Sequence, residues 1–272
     1  MRIAVAVLVW LSVTMAPGCL ERGARPTTAP SPLDITQNDP LPRLVDNLPG
    51  ENHFANIIQL TDGGDNRRPF WGPTGQRLGF SSMRPPHSSR EQYVVAIDGS
   101  GLLQVTGDGV QPPAEPLRWA QLGDGQVATS PDGLQVCFHG YRDDQNPEAE
   151  VKRYNGPVPV GADGPGQLDV YIASADGSGV IQVVSNGAYN CSPCFAPDGK
   201  NLIFSSDIGG TGFDLYRVGT AGEMLEKVTT AAGFDGDPVF SPDGRRLLFI
   251  SQRNDQDPQE FNIFVADWLL DE

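Results

Sequence analysis

The sequence predicts an all-β fold, a β-propeller of about four blades of four-stranded antiparallel sheet. Three observations carry that expectation. One unit recurs four times; apolar residues within it repeat at strand period around a Pro-x-Gly turn; and the strand missing from the last unit stands ahead of the first.

The first unit reads PFWGPTGQRLGFSS from Pro69 and QYVVAIDGSGLLQVT to Thr106. The second is VATSPDGLQVCFHG from Val127 with DVYIASADGSGVIQVVS to Ser185, and the third PCFAPDGKNLIFSS from Pro193 with DLYRVGTAGEMLEKVT to Thr229. The fourth, PVFSPDGRRLLFIS from Pro238, is followed only by NIFVADW. Pro73, Pro131, Pro197 and Pro242 fix φ at the first corner of a tight turn, and Gly75, Gly133, Gly199 and Gly244 supply the positive φ near its end. After each turn Leu78 and Phe80, Val136 and Phe138, Leu202 and Phe204, and Leu247 and Phe249 stand two residues apart, which places each pair on one face of a strand. Ile203 and Leu248 between them are apolar too, as a blade packed between two others requires. Asn56 to Thr61 (NIIQLT) matches LLQVT, VIQVVS and LEKVT, so it is expected to complete the last blade and close the ring without open edges.

These units, F-S-P-D-G-(K/R)-x-L-x-F-x-S followed by D-(V/L)-Y-x-x-x-A-D-G-S-G, resemble the repeats of TolB-type, WD-repeat-like propellers over about Asn56 to Trp268. The resemblance implies the fold. For function it is broad, because such propellers serve as partner-binding envelope proteins, as lyases and as the lids of peptidases.

Ahead of the repeats, Arg2 precedes an apolar run from Ile3 to Ala16, too short to span a bilayer and of signal-peptide length. Cleavage after Gly18 would leave Cys19 first, in a context that resembles a bacterial lipobox, so residues 1–18 are expected to be a lipoprotein signal peptide and Cys19 the lipidated residue. The alternative is ordinary secretory cleavage. Residues 19–50, rich in Pro, Thr and Ser, are expected to be a tether extending about 3 Å per residue, and residues 51–272 the propeller. With 19 Lys and Arg against 34 Asp and Glu, the formal charge is −15, which argues against nucleic acid and anionic membrane surfaces as partners.

No catalytic or metal constellation is legible, and no cofactor is expected. His53, His87 and His139 are scattered. Cys191-Ser-Pro-Cys194 has redox-motif spacing but opens a strand rather than a helix; a disulfide between Cys191 and Cys194, or from either to Cys137, is the expected use in an oxidising compartment. Asp132, Asp198 and Asp243 fit as caps on turn N–H groups, with Asp98 and Asp176 in hairpin turns. The second unit carries an insertion, Tyr141 to Leu168, and a long approach loop, Gly107 to Gln121, lengths that are usually functional or disordered. Tyr141, Arg142, Lys152, Arg153 and Tyr154 of the one and Trp119 of the other form the candidate binding loops.

The expectation for function is a non-enzymatic, exported cell-envelope lipoprotein, membrane-attached only through its N-terminal anchor, whose propeller binds an envelope protein or glycan. Two rivals are a carbohydrate lyase or hydrolase working in the central channel, and a ring that pairs with a second copy as a homodimer.

Overall fold

The computed structural model describes residues 41–84, 89–107, 128–142, 151–153, 167–253 and 260–269. In chain order, β1 (Arg43–Val45) and β2 (Phe54–Gln59) precede the first blade, β3 (Asp65–Trp71), β4 (Arg77–Met83), β5 (Glu91–Ala96) and β6 (Leu103–Gln104). The second blade holds β7 (Ala128–Thr129), β8 (Gln135–Tyr141), β9 (Lys152–Arg153), β10 (Asp169–Ser174) and β11 (Ile181–Val184). The third holds β12 (Asn190–Phe195), β13 (Asn201–Ser206), β14 (Asp214–Gly219) and β15 (Glu226–Lys227). The fourth is built from β16 (Asp235–Phe240), β17 (Arg246–Ser251) and β18 (Asn262–Trp268) together with β2 and β1. Four antiparallel sheets form the ring of a four-bladed propeller.

The turn chemistry acts as the sequence implies. Gly75, Gly133, Gly199 and Gly244 take φ of 68°, 74°, 66° and 70°. The Asp132 carboxylate accepts the Leu134 N–H at 3.0 Å, Asp198 that of Lys200 at 2.8 Å, and Asp243 that of Arg245 at 3.1 Å. Three of the four hairpins deliver a Leu and a Phe to a seam. Leu202 and Phe204 meet Cys137, Val170 and Ile172 of the second blade; Leu247 and Phe249 meet Ile203 and Leu215 of the third; Leu78 and Phe80 meet Leu248 and Ile250 of the fourth. Among the described residues no such cluster joins the first blade to the second.

The N-terminal strand closes the ring as expected, with Gln59 opposite Phe264 and Ile58 opposite Val265. A threonine at the end of the outer strand recurs as a bracket on the strand beside it. Thr61, Thr106 and Thr229 accept the N–H of Ile263, Gln92 and Leu215 at 2.9, 2.8 and 2.8 Å.

One expectation about the N-terminal segment changes. The stretch assigned to a tether, residues 19–50, ends in structure rather than at the domain boundary: Arg43, Leu44 and Val45 pair with Gln59, Ile58 and Ile57, so the last blade has five strands. Leu44 and Val45 are the apolar pair that makes this favourable. Further on, Glu51 is buried against Arg253, its carboxylate taking both terminal nitrogens at 2.9 and 3.2 Å and the Leu48 N–H at 2.9 Å.

Candidate functional site

The strands β3, β7, β12 and β16 form the inner edges of the blades, where neighbouring sheets approach one another. In β3, β12 and β16 the register breaks at a bulge, and the residue there precedes a proline: Arg68-Pro69, Ser192-Pro193 and Asp237-Pro238. Their φ values are 50°, 50° and 52°. A side chain in the left-handed region costs on the order of 1–3 kcal/mol and persists where surrounding structure over-determines it. Here the same strained geometry occurs in three blades.

These three residues connect across the ring. Asp237 accepts the Ser192 hydroxyl at 2.7 Å through Oδ1 and the Arg68 backbone N–H at 3.1 Å through Oδ2. The Ser192 N–H in turn donates to His139 Nδ1 at 3.2 Å. Each blade thus supplies one member of a chain running Arg68, Asp237, Ser192, His139. Because Nδ1 accepts, the neutral imidazole carries its proton on Nε2. Burial lowers the His139 pKa to about 4; Asp237 works against that shift and Arg153 adds to it.

Arg153 reaches this neighbourhood through the insertion. Strand β9 pairs Arg153 with Gly140 and Lys152 with Tyr141, continuing on β8 the inner position that β7 occupies farther along it. The approach is close: a Cβ on Gly140 would stand 2.6 Å from the Lys152 carbonyl oxygen. Of the candidate binding residues, Tyr141, Arg142, Lys152 and Arg153 are therefore brought together, with the Lys152 ammonium 5.9 Å from the Tyr141 ring. Tyr154, Trp119, His87 and Cys19 lie outside the described residues.

The remaining sequence candidates resolve as packing. His53 stacks on Trp268 at 5.1 Å and approaches Glu226 at 3.2 Å. Cys137, Cys191 and Cys194 are buried free thiols, so the expected Cys191–Cys194 bridge is not formed. Cys191 faces Ser205 and Cys194 faces Ile203, two positions apart on β13 and on either side of the bulge. Burial pushes the Cys194 thiol up to about 12 and those of Cys137 and Cys191 upward as well, so none is poised as a thiolate. Among the described residues no group of three or more His, Cys, Asp and Glu side chains is placed to hold a metal ion.

Sequence reasoning missed the axial chain, although a signal exists. A second proline stands four residues before the turn proline in the same three units, Pro69 and Pro73, Pro193 and Pro197, Pro238 and Pro242, marking the bulge and the residue ahead of it.

Architecture and inner site together define a β-propeller with a polar axis. Residues 158–268 match the family model of the TolB beta propeller domain, and the architecture is that of a four-bladed β-propeller. No curated protein matches in sequence. Among solved structures, TolB from Acinetobacter baumannii is 16% identical with a TM-score of 0.39, over 78% of this chain and 43% of that one. The putative TolB from Agrobacterium tumefaciens is 18% identical with a TM-score of 0.37, over 78% and 71%. An oligogalacturonate lyase in complex with manganese is 13% identical with a TM-score of 0.37, over 82% and 96%. The chain thus spans less than half the length of the Acinetobacter TolB.

Proposed function

We propose that this protein is a non-enzymatic cell-envelope lipoprotein, exported and held to the membrane through Cys19, whose propeller binds a protein or glycan partner at the face carrying Tyr141, Arg142, Lys152 and Arg153. The observation that carries this reading is the ladder between β8 and β9, which fixes two exposed basic side chains of the insertion beside an aromatic one. Tyrosine and arginine anchors of this kind suit recognition of protein and glycan surfaces. The inner chain of polar groups supports binding over turnover in its present arrangement: the Ser192 hydroxyl is engaged by Asp237, and the His139 Nδ1 by a backbone N–H rather than a hydroxyl.

In-cell cross-linking of the tagged full-length chain, with metabolic palmitate labelling alongside, tests the two halves separately. A reproducible envelope partner lost on deletion of residues 141–168, and label lost in Cys19→Ala, are the expected results. Label in Cys19→Ala or capture indifferent to the deletion would sink the corresponding half. The rival, a carbohydrate lyase or hydrolase acting in the channel, is favoured by one observation, the convergence of His139, Ser192, Asp237 and Arg68. Turnover of acidic sugar polymers that is lost in Asp237→Asn would establish it instead.

A further inference from the structure

We propose that the outer edges of the first and second blades are docking strands, each accepting an extended segment of a partner protein in which one basic residue is followed by two apolar ones. The inference rests on the partner-binding reading above and gives it a surface distinct from the insertion. It follows from comparing the four outer strands at equivalent positions. Gln59, Gln104, Gln182 and Lys227 each stand opposite the aromatic third residue of the neighbouring strand, Phe264, Tyr93, Tyr171 and Tyr216. Ahead of them come Ile57-Ile58, Leu102-Leu103, Val180-Ile181 and Leu225-Glu226.

In the fourth blade this edge is covered. Strand β1 adds antiparallel to β2, with Leu44 and Val45 over Ile58 and Ile57 and Arg43 over Gln59. Ile57 and Ile58 are 0% and 7% exposed, and the Arg43 guanidinium donates to Gln59 Oε1 at 2.9 and 2.7 Å. In the first two blades the same edge ends its sheet. There Leu102 and Leu103 are 49% and 47% exposed, and Val180 and Ile181 41% and 58%. An unpaired edge with adjacent exposed apolar residues is a template for strand addition.

The glutamine pose strengthens the parallel. Gln59 donates through Nε2 to the Thr61 carbonyl at 2.9 Å, and Gln104 donates likewise to that of Thr106 at 2.8 Å, so the two Oε1 atoms are held alike. Gln182 is anchored through Nε2 to Asp169 at 2.7 Å. Among the described residues nothing donates to Oε1 of Gln104 or Gln182, the atom that Arg43 takes in the fourth blade. The third blade shows the opposite design. Its edge carries Glu226, near His53 and Arg217 at 3.2 and 3.9 Å, and Lys227, paired with Asp214 at 2.8 Å. A lysine where the others have glutamine repels an incoming arginine, and charge on an edge strand guards it against pairing. The net charge of −15 further favours a basic segment.

The probe is a fluorescein-labelled peptide copying residues 39–47, titrated with the full chain and read by polarisation and by amide exchange. Saturable binding of two peptides per chain is expected, with new protection at residues 102–104 and 180–182. Leu103→Lys with Gln104→Lys removes one site, and Ile181→Lys with Gln182→Lys the other. All four together weaken binding by about tenfold or more, as does replacing the peptide arginine with glutamate, while Glu226→Ile with Lys227→Gln adds a third site. Binding indifferent to the edge substitutions, or protection confined to residues 54–59 where the probe would merely displace β1, overturns the proposal. Self-association of the chain abolished by the same substitutions also overturns it, in favour of a second copy as occupant. In-cell capture retained by the edge-blocked chain defeats the docking strands and leaves the partner-binding reading standing. Peptide binding without any partner captured in cells does the reverse.

Discussion

Two residues, the half-buried His139 and the buried Glu51, carry consequences that single substitutions reveal. His139 is held neutral, with its pKa lowered to about 4, chiefly by burial. A folded-state pKa below the unfolded value near 6.5 means that the unfolded chain binds more protons between those values, so this stabilisation is complete above about pH 6.5 and is lost as pH falls towards 4. The shift corresponds to on the order of 3 kcal/mol. In His139→Asn the amide oxygen can still accept the Ser192 N–H but does not titrate. Its melting temperature should therefore change less between pH 7 and pH 4.5 than that of the parent, and parallel profiles would refute the assignment. Glu51 is the second case. Arg253 is buried with it, and its remaining carboxylate partner, Asp235, stands farther off at 3.4 Å. Glu51→Ala strands a buried guanidinium and should cost about 3–5 kcal/mol in urea unfolding, whereas an exposed ion pair would cost under about 1 kcal/mol.

Elements were legible in this sequence to the extent that each is specified by its own residues. The Pro-x-Gly turns, the Leu and Phe positions and the displaced strand all follow from local chemistry that the repeat carries, and β2 through β8 and β10 through β18 stand where that repetition puts them. The exceptions are elements specified from a distance. Strand β1 has a proline-rich neighbourhood that reads as tether, and only the apolar edge of β2 makes Arg43–Val45 a strand. Likewise β9 is two residues inside an insertion with no strand pattern of its own, and Gly140 on its partner is what admits it. Gly140→Val should push β9 off β8. The expected readouts are faster amide exchange at Lys152 and Arg153 and a rise in the His139 pKa, because burial chiefly, and Arg153 in addition, hold that pKa down. If His139 titrates unchanged while the chain stays folded, β9 is not the element that brings Arg153 to the inner site.

At the scale of the ring, the four seams are unequal. In three of them the turn glycine of one blade faces the turn proline of its neighbour: a Cβ on Gly75 would meet Pro242 at 3.6 Å, one on Gly199 would meet Pro131 at 3.7 Å, and one on Gly244 would meet Pro197 at 2.8 Å. Gly133 has nothing within 4 Å. The same difference appears in the core, where Phe80, Phe204 and Phe249 are fully buried but Phe138, their counterpart in the second blade, is only half-buried against Tyr171 at 5.6 Å. The sequence could not show this, because Val136 and Phe138 obey the repeat as well as any other pair. The inequality comes from what the first blade offers in return. It has Gly79 where the others have Cys137, Ile203 and Leu248, and Phe70 folds over that glycine, its ring 2.4 Å from where a Cβ would stand. A seam with less apolar burial should tolerate truncation better. Phe204→Ala should therefore cost about 3–5 kcal/mol, as a fully buried aromatic does, and Phe138→Ala about 1–2 kcal/mol. The two single variants compared by urea unfolding use the repeat as its own control. Equal losses would mean that the seam between the first and second blades is packed as tightly as the rest, and that the ring has no preferred place to open.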